Sequence, residues 1–398
     1  MKQKLKQHKG ITLIALIITI IVLLILAAVA IAAIKGDGII SHAKNAKSQY
    51  SKAQQDEASM LSGYELTLAE ANGKKLDITD AQSSGMLTRT SNTTVYDKYG
   101  NKIKVPAGFK IITKTDTENT DLNYTADTID VTKGIVVEDG EGNQFVWIPV
   151  GTIYTNVEKT ASKTITLGRY ENFTKTNNAY TVAQNASDYD TQVKISVYTE
   201  DTTTNHNSSY KNSIAKNIGE FCTKSLASGG YYIGRYEART ETERKTSSAA
   251  LTQVTSKAND YVYNYVTQAK ASERCQSMYT NKPYESDLVN SYAWDTAIIF
   301  FQEFGDNSTY ASKTSVNSSL ANTGTSGTSY TRTKDVICNV YDMASNCMEW
   351  TTETNAVKGD TGSVLRGGLW VPGTEYRGNE MLTSYAFNNY SFRPILYM

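Results

Sequence analysis

The chain has 398 residues, and its 40 lysines and arginines balance 40 aspartates and glutamates, leaving no net charge at neutral pH. That balance argues against a nucleic-acid partner. The only histidines are His8, His42 and His206, which all but excludes a His-based catalytic triad or a multi-His zinc site.

The N-terminus comes first and says most. Lys2, Lys4, Lys6 and Lys9 lead to Gly10, and Ile11 to Ile34 then runs without a charge, a glycine or a proline. At ~1.5 Å per residue this run predicts a helix of ~36 Å, enough to cross a ~30 Å hydrocarbon layer. The lysines before it place Met1 in the cytoplasm and the bulk of the chain outside. A secretory signal has an apolar core of only about 7–15 residues with its cleavage site after the core. Here the natural junction, Gly10–Ile11, precedes the core. This order resembles the class III signal of type IV pilins, over residues 1 to about 70. The resemblance implies cutting between Gly10 and Ile11 by a prepilin peptidase, retention of the helix, and other pilins as partners. Such proteins usually carry Glu at the fifth mature position, where this chain has Ala15. The alternative is a single-span anchor that is never cut.

Lys35-Gly36-Asp37-Gly38 interrupts the helix with poor helix formers. A second helical pattern then runs to about Asn72, with Ile39, Ala43, Ala46, Tyr50, Ala53, Met60, Tyr64 and Leu68 on one thin stripe. Glu57 falls on that stripe. A pilin-type helix packing on its own head and a short stalk coiled coil both fit. The expected divisions are a leader over 1–10, an apolar helix over 11–34, an amphipathic stalk over 35–72, a β-rich connection over 73–133 and a large domain over 134–398.

From about Leu76 the chain reads as strands and turns. Asp97-Lys98-Tyr99-Gly100-Asn101 precedes alternating Ile103, Val105 and Phe109, and Asp139-Gly140-Glu141-Gly142-Asn143 precedes Phe145, Trp147 and Val150. Both predict hairpin turns feeding half-buried strands. Their shared D-x-x-G-N is too short to establish a repeat. Residues 111–133 read as a linker or irregular loop, and 151–220 as a polar elaboration with few core positions. A helix is expected from Thr267 as N-cap, presenting Ala271, Cys275 and Met278. Another is expected from Ser286, presenting Leu288, Tyr292 and the Trp294–Phe301 region. Cys222, Cys275, Cys338 and Cys347 allow two disulfides in any of three connectivities, or four free thiols.

The later blocks carry a second resemblance. A VWIP strand, Arg235-Tyr236-Glu237, LVNSYAWD (Leu288–Asp295), Tyr341 to Trp350, Arg366 to Trp370 and Ser391-Phe392-Arg393 occur in this order. Together they resemble the formylglycine-generating-enzyme family, whose fold is a variant of the C-type lectin fold. The resemblance spans about 134–398 and implies an α+β domain of short strands and two main helices behind the long N-terminal helix. The family's oxidases hold copper with two cysteines beyond the R-G-G-S-W block. No cysteine follows Trp370 here, so a non-catalytic head is expected. No cofactor is required. The resemblance allows a structural calcium at Asn346 and Glu349, the alternative being a buried ion pair of Glu349 with Arg366 or Arg393.

In this fold a ligand would meet the C-terminal segment. Trp370, Glu375, Tyr376, Arg377, Asn379, Tyr385, Asn388, Asn389 and Tyr390 are the expected binding residues, a mix of aromatic anchors and adaptable amides. The segment also resembles the variable end of retroelement-diversified C-type-lectin proteins, which often finish in F-R-P. The expectation is a surface-displayed, pilin-like adhesion protein of the cell membrane, with its head outside and meeting a ligand or cell surface. A minor pilin of structural role is the alternative, and an oxidase the least favoured.

Overall fold

The computed structural model describes residues 20–22, 46, 47, 49, 50, 53, 57 and 61. It also describes 76–398, apart from 115–121, 123, 172, 183–197, 200–217, 259, 311–334, 356–361, 368–378 and 383. The chain divides into two compact units, Met1–Met60 and Leu61–Met398. In the first, every described residue is helical and exposed, including Ile20 to Val22 and the stripe residues Ala46, Tyr50 and Ala53. The Gly10–Ile11 junction and most of the 11–34 run lie outside the described residues. Among those described, no helix is long and apolar enough to cross a membrane.

The second unit is α+β, with short strands and few helices. It begins with β1 (Thr93–Tyr96), β2 (Lys102–Val105), β3 (Phe109–Ile111), β4 (Val136–Asp139) and β5 (Gln144–Pro149). The turns joining β1 to β2 and β4 to β5 are built alike. One carboxylate oxygen of Asp97 accepts from the Tyr99 and Asn101 amides at 2.9 and 2.8 Å, and the other from Asn101 Nδ2 at 3.0 Å. Asp139 does the same with the Glu141 and Asn143 amides at 2.9 and 2.8 Å and with Asn143 Nδ2 at 2.9 Å. Gly100 and Gly142 sit at φ +79° and +86°, where a side chain is strained. Each asparagine also grips a distant segment. Asn101 Oδ1 accepts from Tyr154 N at 2.8 Å, and Asn143 Oδ1 from Ser256 N at 3.0 Å. Three shared letters in a five-residue turn thus encode one loop used twice.

Next come the hairpin β6 (Gly151–Tyr154) and β7 (Ser162–Ile165), and the short β8 (Tyr198–Thr199). Helix α1 (Ile218–Ser228), β9 (Gly230–Gly234) and the pair β10 (Arg239–Thr240) and β11 (Tyr261–Val262) follow. Helix α2 (Gln268–Met278) starts where expected: Thr267 caps it by accepting from Lys270 N, and Ala271, Cys275 and Met278 are buried. The next helix does not. Residues Glu285–Leu288 form β12, and α3 (Ser291–Phe304) begins after Asn290, whose side chain accepts from Ala293 N at 2.8 Å. Ser286 lies in a strand because Glu285–Leu288 pairs with the C-terminal strand, a long-range contact that a local pattern cannot display.

The hairpin β13 (Val336–Ile337) and β14 (Val340–Tyr341) leads into β15 (Met348–Asn355), β16 (Ser363–Arg366), β17 (Asn379–Met381), β18 (Tyr390–Phe392) and β19 (Pro394–Tyr397). The main sheet runs β12-β19-β9-β5-β4-β3, antiparallel throughout. A second sheet runs β17-β16-β15-β18, with β15 and β18 parallel and β8 beside the far end of β15.

Two expectations change, and of the two cysteine alternatives the free thiols are the one present. β5 is buried along its whole length, not half-buried, because it sits inside the six-stranded sheet. The region 73–133 joins the head through β3, and Ile112, Leu122, Tyr124, Ile129 and Val131 of the expected linker are core residues. All four cysteines are free, three of them buried. Asn143→Ala is expected to lower the unfolding free energy by about 1–3 kcal/mol, since it removes one of the donors to Asp139 and leaves the buried Ser256 amide without its acceptor. Urea titration of variant against parent measures this.

Candidate functional site: the C-terminal display surface and its buried frame

The sequence blocks converge below the C-terminal segment on two buried arginines. Arg393 Nε lies 3.0 and 3.1 Å from the two oxygens of Glu349, and its Nη2 lies 2.5 Å from one of them. The remaining donors reach the Gly234 carbonyl at 2.9 Å and the Tyr341 carbonyl at 2.8 Å. Arg366 grips Glu353 Oε2 with Nε at 3.1 Å and Nη2 at 2.6 Å, and Asp295 with Nη1 at 2.5 Å. Asp295 also accepts from Tyr170 N, and Arg169 stands 3.3 Å from Glu353. Part of the expected polar elaboration is thereby sewn into the frame. Gly367 has φ +83°, and a Cβ there would lie 3.0 Å from the Met343 carbonyl and 3.2 Å from the Trp294 ring, so the residue beside the charge has to be small.

Glu237, from the R-Y-E block, is fully buried and accepts from Cys347 N at 3.0 Å and from Asn346 Nδ2. Burial, reinforced by Asp342 and Glu349, pushes its carboxyl well above the usual range. Asn346 therefore turns to Glu237 while Glu349 turns both oxygens to Arg393, and the two do not converge on one point. Among the described residues no group of three or more carboxylate, thiol or imidazole side chains is placed to hold a metal. The donor set at Asn346 and Glu349 does not fit a calcium ion; the ion-pair alternative, with Arg393, is the arrangement present. Burial also raises the Cys347 and Cys338 thiols, which keeps both protonated at neutral pH.

Above this frame, the described part of the C-terminal segment forms an aromatic ladder leading outward. Trp350 is buried, with its indole N–H donating to the Val266 carbonyl at 2.9 Å. Tyr390 packs edge-on to Trp350 at 5.4 Å between ring centres, Phe387 to Tyr390 at 5.4 Å, and Tyr385 to Phe387 at 4.8 Å. Phe387 is 46% exposed and Tyr390 only 6%. The backbone there is fixed as well. Tyr265, in a left-handed conformation at φ +53°, donates its amide to the Phe387 carbonyl at 2.9 Å, and Asn264 Nδ2 donates to the Asn388 carbonyl at 2.9 Å.

The expected binding residues divide accordingly. Tyr385 is half-buried and Asn388 exposed, both beside Phe387. Asn389 is half-buried, its carbonyl accepting from Met348 N. Tyr390 lies in β18 as a brace and does not face outward, because the parallel pairing of β18 with β15 turns its ring onto Trp350. Asn379 opens β17, its backbone paired with Leu365. Trp370, Glu375, Tyr376 and Arg377 lie outside the described residues. Phe387, the most exposed aromatic of the ladder, was not among the expected residues. The signal for it was the spacing Tyr385-x-Phe387, which puts two rings on one side of an extended segment.

No family model matches this chain, and neither a curated protein nor a solved structure matches it.

Two outcomes follow from the frame. Arg393→Met leaves Glu349 buried and unpaired, and is expected to cost about 3–5 kcal/mol in urea unfolding. Asp342 is buried beside Asp335, which pushes its carboxyl up to about 7. The folded form thus keeps a proton that the unfolded chain releases above ~3.9. The stability from this group is complete below about pH 4 and is lost as pH rises through about 7. Urea midpoints taken across that window should fall more steeply for the parent than for Asp342→Asn.

Proposed function

We propose that this is a surface-displayed, membrane-tethered binding protein, in which a pilin-like N-terminal helix presents a non-catalytic, C-type-lectin-like head. The observation that carries this reading is the aromatic ladder ending in Phe387. An exposed ring held rigid by Tyr385, Tyr390 and Trp350 loses little conformational freedom when it meets a partner, which is what a binding surface requires. The lysine leader before an uninterrupted apolar run supports the tether, and the Gly10–Ile11 junction supports pilin-type processing. The absence of cysteine after Trp370, with Cys338 and Cys347 buried as high-pKa thiols, supports a head without copper chemistry. The segment around 368–390 is read as the ligand-facing loop.

The exposure of Ala46, Tyr50 and Ala53 favours a second reading, a minor pilin whose second helix packs on neighbours in a filament. N-terminal sequencing of protein from cell envelopes should return Ile11 as the first residue. Recovery of the intact chain from the cytosol would overturn both readings. Tyr385→Ala with Phe387→Ala should lower cell capture by the displayed full chain at least tenfold under the binding reading, and leave it unchanged under the filament reading.

A further inference from the structure

A cavity of about 320 Å³ lies between the end of α3, the turn joining β13 to β14 and the short helical turn Val131–Lys133. It is large enough for a small ligand, and none of the C-terminal segment lines it.

Its walls are tied to one another. Cys338 and Asn339 form a two-residue turn, both left-handed at φ +45° and +64°. Asn339 Nδ2 donates to the Lys133 and Gly134 carbonyls, each at 2.9 Å. Gly134 comes so close that a Cβ there would run into the Cys338 carbonyl. At the end of α3 the Gly305 amide donates to the Phe301 carbonyl at 2.8 Å, and a Cβ on Gly305 would lie 2.6 Å from Ile337. The backbone around the cavity is thus set before any ligand arrives.

Most polar groups of the lining are already used. Thr132 is turned to Asp130, Asn339 to the two carbonyls, and the Cys338 thiol lies 4.0 Å from the Thr132 carbonyl. Two charges are left over. Lys133 and Asp306 are exposed, and among the described residues neither side chain makes a hydrogen bond or ion pair, not even with the other. Burial raises the Cys338 thiol; Asp306 raises it further and Lys133 lowers it, so both charges act on that one sulfur. Opposite charges therefore stand around one cavity without meeting.

Asp306 also stands where a carboxylate is disfavoured. It follows the C-terminal end of α3, the negative end of the helix dipole, and the last turn holds no basic residue. Glu303 in that turn is neutralised by Lys163 and Lys175, whereas Asp306 is not. A ligand ammonium would answer both the carboxylate and the helix end, and Lys133 would meet a ligand carboxylate. The apolar lining is Val336 and Phe304, both half-buried, with the buried Ile337. The Phe304 ring already carries Phe300 at 5.5 Å and Lys163 at 5.1 Å, so it offers aliphatic contact and not stacking. We propose that this cavity binds a free α-amino acid with an aliphatic side chain, its ammonium at Asp306 and its carboxylate at Lys133.

The test is calorimetry on the full chain in detergent, with L-leucine, L-leucine methyl ester and N-acetyl-L-leucine as probes. L-Leucine should bind, and each blocked form should bind at least tenfold more weakly. Lys133→Met should weaken L-leucine at least tenfold and leave the ester unchanged. Asp306→Asn should weaken L-leucine as much and leave the N-acetyl form unchanged. Both are exposed positions, so the unfolding temperature should stay the same, and Phe387→Ala should bind L-leucine normally. No heat of binding with millimolar L-leucine, equal affinity for the blocked forms, or unaltered L-leucine affinity in either charge variant would each overturn the proposal.

Discussion

Arg366 and Arg393 pin the head together from the inside. Each guanidinium is buried, and each spreads its donors over segments far apart in sequence: Arg393 over β9, β14 and β15, and Arg366 over α3 and β15. A buried charge is costly unless paired and hydrogen-bonded, and only the planar fork of arginine meets a carboxylate and backbone carbonyls at once. Lysine, with one compact ammonium, could not replace either. The pairs thus act less as a source of stability than as a demand for one arrangement, since any other packing would leave Glu349, Glu353 or Asp295 charged without a partner. The small residue at Gly367 and the buried Trp294 and Trp350 then follow as the packing that this arrangement permits.

The legible parts of the sequence were the local ones. Both D-x-x-G-N turns could be read because an aspartate, a left-handed glycine and an asparagine close the loop with their own atoms. The Thr267 cap could be read for the same reason. Ser286 misled because its tetrapeptide takes its structure from the end of the chain. Residues 111–133 looked like a linker or irregular loop because their core positions are spaced irregularly, without the period of two or 3.6 that marks a strand or helix. At the site, the residue types of the C-terminal segment were readable but their directions were not. Tyr385 and Tyr390 look alike as letters, and only the register of β18 on β15 separates a displayed ring from a brace.

That separation gives the segment a division of labour. Trp350, Tyr390 and the backbone of 387–389 belong to the frame, tied by Asn264, Tyr265 and Met348. Phe387, Tyr385 and Asn388 stand on that frame. Changes confined to the second group alter what the surface presents without touching the sheet below.

The main sheet is completed by the last strand of the chain. β19 lies between β9 and β12, not at an edge, and Arg393, which neutralises Glu349, immediately precedes it. A polypeptide delivered amino end first therefore lacks an inner strand of this sheet, next to its edge strand β12, until Pro394–Tyr397 emerge. Until then β12 cannot join the sheet, because β19 is the strand it pairs with.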